Sequence, residues 1–206
     1  AQAEPYAVLF ARFEPDLPLE RCLSLHEQVR ELASTLLTHE EAADQPEDVL
    51  RGDFAPAQQE VLLRRLLSVV GYRLEAGRLD LGDSFAEYPC PPHDVRISAT
   101  IYPQSLRKTL RVFLHELGHG LYLQGIDPGL AQTNLADAAS YGLNEAQARL
   151  WETLLGRSLP FWQGQYPLLQ ELFPRPFKDL PVADFVRALN RRHVGVLRRE
   201  ADEVSY

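Results

Sequence analysis

Apolar residues recur at helical spacing along most of this chain and alternate at a spacing of two in one clear stretch. Between about 17 and 43, Leu19, Cys22, Leu23, His26, Val29, Leu32 and Leu36 fall near one stripe, which predicts a long helix with that stripe buried. A polar connection over 46–56 follows. Pro56 then opens a second helix carrying Val61, Leu62, Leu66, Val69 and Val70, which ends by Gly71. Extended pieces are expected over 72–83 and 94–102. In the latter, Val95, Ile97, Ala99 and Ile101 alternate with Arg96, Ser98 and Thr100, the pattern of a strand with one wet face. From Ser105 to Gln124 the residues Leu106, Leu110, Phe113, Leu114, Leu117 and Leu121 trace one face of a third helix. Pro103 and Ser105 sit where it should start, and Gly125 and Pro128-Gly129 stop it. A further helix is expected from about 136 to 155, then a turn rich in Pro and aromatics over 161–177, then a last helix from about 182 to the end. No internal repeat or low-complexity segment is seen. The 206 residues are expected to form one domain, 1–206, mainly α with a small β-sheet beside the third helix.

That third helix carries the chemistry. It contains His115-Glu116-Leu117-Gly118-His119, and 3.6 residues per turn put the two histidines side by side on one face, where both imidazoles can hold one zinc ion. Glu116 lies close enough to that face to take a proton from a water on the metal. Two histidines leave zinc short of one protein ligand. Glu145, on the helix after the intervening loop, is the preferred third donor, because an antiparallel helix returns it opposite the first pair; Asp137 and Glu152 on the same helix are rivals.

Composition narrows the partners. Net charge is −8 with a pI near 5.3, so a nucleic-acid backbone is repelled on average and nucleic acid is not an expected partner. Arg191-Arg192 and Arg198-Arg199 are short and flanked by acids, as on a solvated helix face. No apolar run approaches the eighteen or so residues that cross a membrane, and no charged-then-apolar leader opens the sequence, so a cytoplasmic protein is expected. Cys22 and Cys90 lie outside any metal-ligand spacing and read as packing thiols.

The surroundings of the zinc pattern carry a resemblance. Leu114-His115-Glu116-Leu117-Gly118-His119-Gly120-Leu121-Tyr122, Gly125-Ile126-Asp127-Pro128, the run Gly142 to Glu152, Gly156-Arg157-Ser158 and Phe161-Trp162 together resemble the thermostable carboxypeptidase family, the carboxypeptidase Taq type. Upstream, Asp94-Val95-Arg96-Ile97-Ser98 is similar to its Asp-x-Arg-x-Thr motif; downstream, Leu197 to Asp202 is similar to its Ile-Arg-x-x-Ala-Asp motif. The resemblance implies a gluzincin-type helical metallopeptidase fold, with His115, His119 and Glu145 as ligands of one zinc ion and Glu116 as general base. Cobalt or manganese could replace zinc in such a donor set. Arg96 and Arg198 match motif positions near the family's active site, where an Arg fork suits a peptide's terminal carboxylate; ion pairs with Asp94 and Asp202 are the structural alternative.

The departures from the family are as informative. The sequence is less than half the family's usual length, lacking an N-terminal helical region and a C-terminal Gly-x-x-Gln-Asp-x-His-Trp segment, which implies a truncated form of the fold. Asp83-Ser84-Phe85 stands where the family has His-Pro-Phe, and Asn144 stands for the His of its His-Glu-Ser-Gln. The expected activity is hydrolysis of short peptides from the C-terminus, with an aminopeptidase or broad oligopeptidase as the alternative, and a non-catalytic zinc-stabilised binding module as a reading of another class. Glu116 argues against the last, since a structural zinc site needs no base. For the oxyanion, Tyr206, His193, Arg198 and Tyr141 are candidate donors, Tyr206 first. Loss of flanking helices would expose apolar faces that a homodimer could cover.

Overall fold

The computed structural model describes residues 4–39, 48–82, 87–90, 94–131 and 133–191. They divide into two compact units: 4–39 with 140–142 and 191, and the described residues of 48–139 with 143–190.

In the first unit, helix α1 (Pro5–Phe10) starts where the Glu4 carboxylate accepts from the Ala7 N–H, and helix α2 spans Leu19–His39. The Tyr141 ring meets Phe13 edge-on at 5.5 Å, and Glu14 accepts from the Gly142 N–H. The stripe expected to be buried on α2 is not: Leu23, Val29, Leu32 and Leu36 are each more than half exposed. Helical periodicity says which residues share a face, but a second element must cover that face to bury it.

The second unit holds the core. Helix α3 (Pro56–Val70) buries Leu62, Leu63, Leu66 and Leu67 and closes at Gly71. Three short strands follow, β1 (Gly77–Leu81), β2 (Glu87–Cys90) and β3 (Asp94–Ala99), with β3 in the middle, parallel to β1 and antiparallel to β2. As the alternation predicts, Val95, Ile97 and Ala99 are buried and Arg96 is only half-buried on the other face; Ser98, expected on the wet face, is buried as well. Helix α4 (Leu106–Gln124) packs on this sheet. Ser105 caps it, accepting from the Lys108 N–H, and Leu106, Leu110, Phe113, Leu114 and Leu117 are buried.

Two glycines let α4 touch neighbours on opposite sides. Positions 118 and 120 are roughly 200° apart around a helix. A Cβ on Gly120 would fall 2.7 Å from Ile97 Cγ2 of β3, and one on Gly118 would fall 2.6 Å from Ala148 Cα and 2.7 Å from the Gln147 carbonyl oxygen. The zinc pattern therefore sits at a point where β3 and the next helix both approach α4 more closely than a methyl group allows.

That next helix departs from expectation. Helix α5 covers Tyr141–Arg149, beginning later than residue 136, and gives way over Leu150–Leu155 to a π-helical turn, in which the Gly156 N–H reaches the Trp151 carbonyl. The stretch read as a Pro- and aromatic-rich turn is also corrected: Leu159–Leu172 is a helix, α6, capped by Ser158. Pro160 fits its first turn, where no N–H is needed, and Trp162, Tyr166 and Leu169 form a buried stripe at helical spacing. The short helix α7 (Pro174–Phe177) and α8 (Val182–Leu189) complete this unit. Phe54, Trp162, Phe173, Phe177 and Phe185 form its aromatic core, with the Trp162 indole N–H donated to the Gly156 carbonyl. Packing thus accounts for Trp162. The expected last helix ends at Leu189; residues 192–206 lie outside the described residues.

Candidate metal centre

Helix α4 presents His115 and His119 one turn apart toward α5, and α5 returns Glu145 between them. The Nε2 atoms of the two histidines are 3.2 Å apart, and Glu145 Oε2 lies 3.7 Å from His115 Nε2 and 3.6 Å from His119 Nε2. Among the described residues this is the one cluster of three or more His, Cys, Asp or Glu side chains that could hold a metal ion. His119 is buried and His115 half-buried, while Glu145 is nearly half exposed, so the cluster opens to solvent on the carboxylate side.

The other ring nitrogens are engaged. His115 Nδ1 donates to Glu152 Oε2 at 2.9 Å, and His119 Nδ1 donates to Asn144 Oδ1 at 2.9 Å. With each Nδ1 carrying a proton, the two Nε2 atoms face one another at 3.2 Å, a spacing that either a shared proton or a metal cation between them satisfies. Three atoms at these separations share a common point about 2.0 Å from each, the length of a zinc–nitrogen or zinc–oxygen bond. The donor set thus fits a divalent cation in size and charge. The surrounding carboxylates agree: burial alone would lower the His115 pKa, but the hydrogen bond to Glu152 and the charges of Glu145, Glu152 and Glu116 raise it above its ordinary value.

Glu152 takes a different place from the one considered for it. It stood as a rival ligand, yet it is buried behind His115 rather than beside the two Nε2 atoms. Arg111 Nε donates to its Oε1 at 2.7 Å, and Arg149 Nη1 to its Oε2 at 3.2 Å. Burial opposes its ionisation, but His115, Arg149 and Arg111 together bring its pKa down to about 2. Asp137, the other rival, is exposed in the loop before α5 and is not part of the cluster. Asn144, noted as a departure from the family, holds His119. An amide oxygen serves as well as an imidazole acceptor for fixing the Nδ1 tautomer.

Glu116 follows His115 on α4 and is buried, only 4% exposed. Arg96 is turned toward Asp94 on its own strand, donating from Nε and Nη2 in a fork, and this guanidinium lowers the Asp94 pKa. That is the structural alternative raised for Arg96. Arg198, Tyr206, His193 and the stretch Asp83-Ser84-Phe85 lie outside the described residues. Tyr141 is 70% exposed and belongs to the first unit. Alongside the C-terminal half of α4 runs an open groove of about 440 Å³, lined by Val70, Leu121, Tyr122, Gly125, Ile126, Gln147 and Trp151. No helix among the described residues is long and apolar enough to cross a membrane.

The chain is 33% identical to carboxypeptidase 1 of Bacillus subtilis, with all of it aligned to 41% of that protein, and 36% identical to thermostable carboxypeptidase 1 of Thermus thermophilus, with 98% aligned to 40%. Its structure matches the M32 carboxypeptidase of Deinococcus radiodurans with a TM-score of 0.93 at 30% identity, covering 98% of this chain and 41% of that one. The chain therefore spans about two fifths of the length of these relatives. The match to the family's own model is not partial on this side: carboxypeptidase Taq (M32) metallopeptidase is matched by residues 1–206, and the chain belongs to that family.

Proposed function

We propose that this chain is a zinc-dependent metallopeptidase that releases C-terminal residues from short peptides, with 1–206 acting as one catalytic domain. The observation that carries the reading is the convergence of His115 Nε2, His119 Nε2 and Glu145 Oε2 on one point, with the buried acid Glu116 adjacent in sequence to the first of them. The names of the relatives favour the C-terminal end of the peptide over the N-terminal end.

In this reading His115, His119 and Glu145 hold the cation, which supplies Lewis acidity to the attacking water and to the scissile carbonyl. Glu116 takes the proton of that water on its carboxylate and passes it to the leaving amine nitrogen, so one acid serves both halves of the reaction. Glu152 and Asn144 hold the two imidazoles in the tautomer that leaves each Nε2 free to bind. Arg96 and Arg198 are the proposed partners of the peptide's terminal carboxylate, which requires Arg96 to exchange its Asp94 fork for substrate. Tyr206 and Arg198 are the proposed oxyanion donors.

Zinc is the proposed metal because two imidazoles and one carboxylate with an open position are its usual catalytic ligand set. A cytoplasmic location and a homodimer belong to the same proposal; the exposed apolar residues Leu25, Val29, Leu32 and Leu36 of α2 support the second. The test is a panel of short peptides blocked at the N-terminus, at the C-terminus or at neither, incubated with and without chelator and read by mass spectrometry. Loss of single residues from free C-termini, stopped by chelator, is expected. Cleavage of C-terminally blocked peptides alone, or none at all, contradicts the proposal.

A further inference from the structure

One guanidinium touches both carboxylates that flank His115. Arg149 Nε donates to Glu145 Oε1 at 3.1 Å, and its Nη1 donates to Glu152 Oε2 at 3.2 Å. Glu145 therefore has its two oxygens divided. Oε1 faces Arg149, and Oε2 faces the two histidine Nε2 atoms. Glu152 in turn accepts from His115 Nδ1 through the same oxygen that Arg149 reaches. These contacts depend on local backbone form. Glu145 and Glu152 lie four residues before and three after Arg149, on one helical face, and the π-helical turn begins at the very next residue, Leu150.

We infer that Arg149 is a positioning residue for the metal centre: it presents Glu145 to the cation through one oxygen only and, through Glu152, fixes the ring of His115. Arg149 thereby reaches the carboxylates that govern two of the three ligands without itself binding the metal, and it shares Glu152 with Arg111, whose Nε donates to the other oxygen at 2.7 Å. This inference rests on the reading of His115, His119 and Glu145 as ligands. A fork is needed because two acceptors on different turns must be met at once, which a single ammonium cannot do with the same geometry. Since Arg149 is 40% exposed, it can be replaced without opening the core.

The test compares wild type, Arg149→Gln, Arg149→Lys and His115→Ala, all as the full chain, by competition with a chromophoric zinc chelator and by the visible spectrum after cobalt(II) loading. The expected result is a zinc affinity about 10–100-fold weaker in Arg149→Gln, the size usual for loss of a residue that orients a ligand. Weaker cobalt d–d absorption is expected with it, as a freed Glu145 adds its second oxygen and raises the coordination number. Arg149→Lys should fall between the two in affinity, and serves alone if the Gln variant does not fold. An affinity within about threefold of wild type for the folded variants, or a weaker affinity with an unchanged cobalt spectrum, overturns the inference. Failure of wild type to bind zinc, or full binding by His115→Ala, instead contradicts the metal centre itself.

Discussion

Gly118 of α4 meets Ala148 of α5 so closely that a Cβ on the glycine would lie 2.6 Å from the alanine Cα. This contact sets the distance between the helix carrying the two histidines and the helix carrying Glu145. Gly118→Ala should push the helices apart, at a cost of about 1–3 kcal/mol for overpacking, only partly offset by the roughly 1 kcal/mol that alanine gains over glycine in a helix. Urea unfolding of the metal-free chain measures the first effect. Zinc titration should show a weaker site, because Glu145 moves away from the Nε2 pair.

Glu116→Gln keeps size and polarity but removes the base. The variant should hold zinc with wild-type affinity while peptide turnover falls at least about 100-fold, the lower end of what a positioned general base contributes. Turnover rates and metal content measured on the same preparation check this; retained activity would remove Glu116 from the mechanism.

Metal should stabilise the fold, since the three donor atoms come from two helices and a bound ion ties α4 to α5. At a free zinc concentration a hundredfold above Kd, the expected gain is about 2.7 kcal/mol. Calorimetry with and without chelator should show the melting temperature falling on metal removal and recovering on re-addition. A melting temperature indifferent to chelator contradicts a site shared by two helices.

Alkaline pH should weaken the fold through Tyr72, far from the metal donors in sequence. Its hydroxyl is buried and donates to the Val95 carbonyl of β3, and burial is the main cause that pushes its pKa up to about 12. Below pH about 10 the phenol is protonated in both folded and unfolded chains, and its contribution is whole. As pH rises from 10 toward 12 the unfolded chain ionises first, so stability is lost across that window, by about 1–2 kcal/mol after allowance for solvent screening. Denaturant midpoints of wild type and Tyr72→Phe across this range measure the difference; the variant should show a shallower decline.

Much of the centre was legible in sequence because its parts are local. A spacing of four on a helix, a Ser105 cap and a Gly125 stop need nothing beyond the segment itself, and the structure has all three. Strand β3 was legible for the same reason: its alternation reports one buried face. What was not legible depends on partners. The α2 stripe has the right period and no cover among the described residues, and Glu152 has the right chemistry for a ligand but ends behind His115, where Arg111 from another helix also holds it. Nor does any residue type announce the π-turn after Arg149. Helix α6 was hidden by its prolines; counted one by one they suggest a turn, while the spacing of Trp162, Tyr166 and Leu169 indicates a helix.

Anomalous diffraction from crystals grown with zinc would locate a cation held by His115, His119 and Glu145. One strong peak is expected at the zinc edge, about 2.0–2.2 Å from His115 Nε2, His119 Nε2 and Glu145 Oε2. A peak bound elsewhere, or none between the two histidines with Glu145 turned away from them, would contradict it.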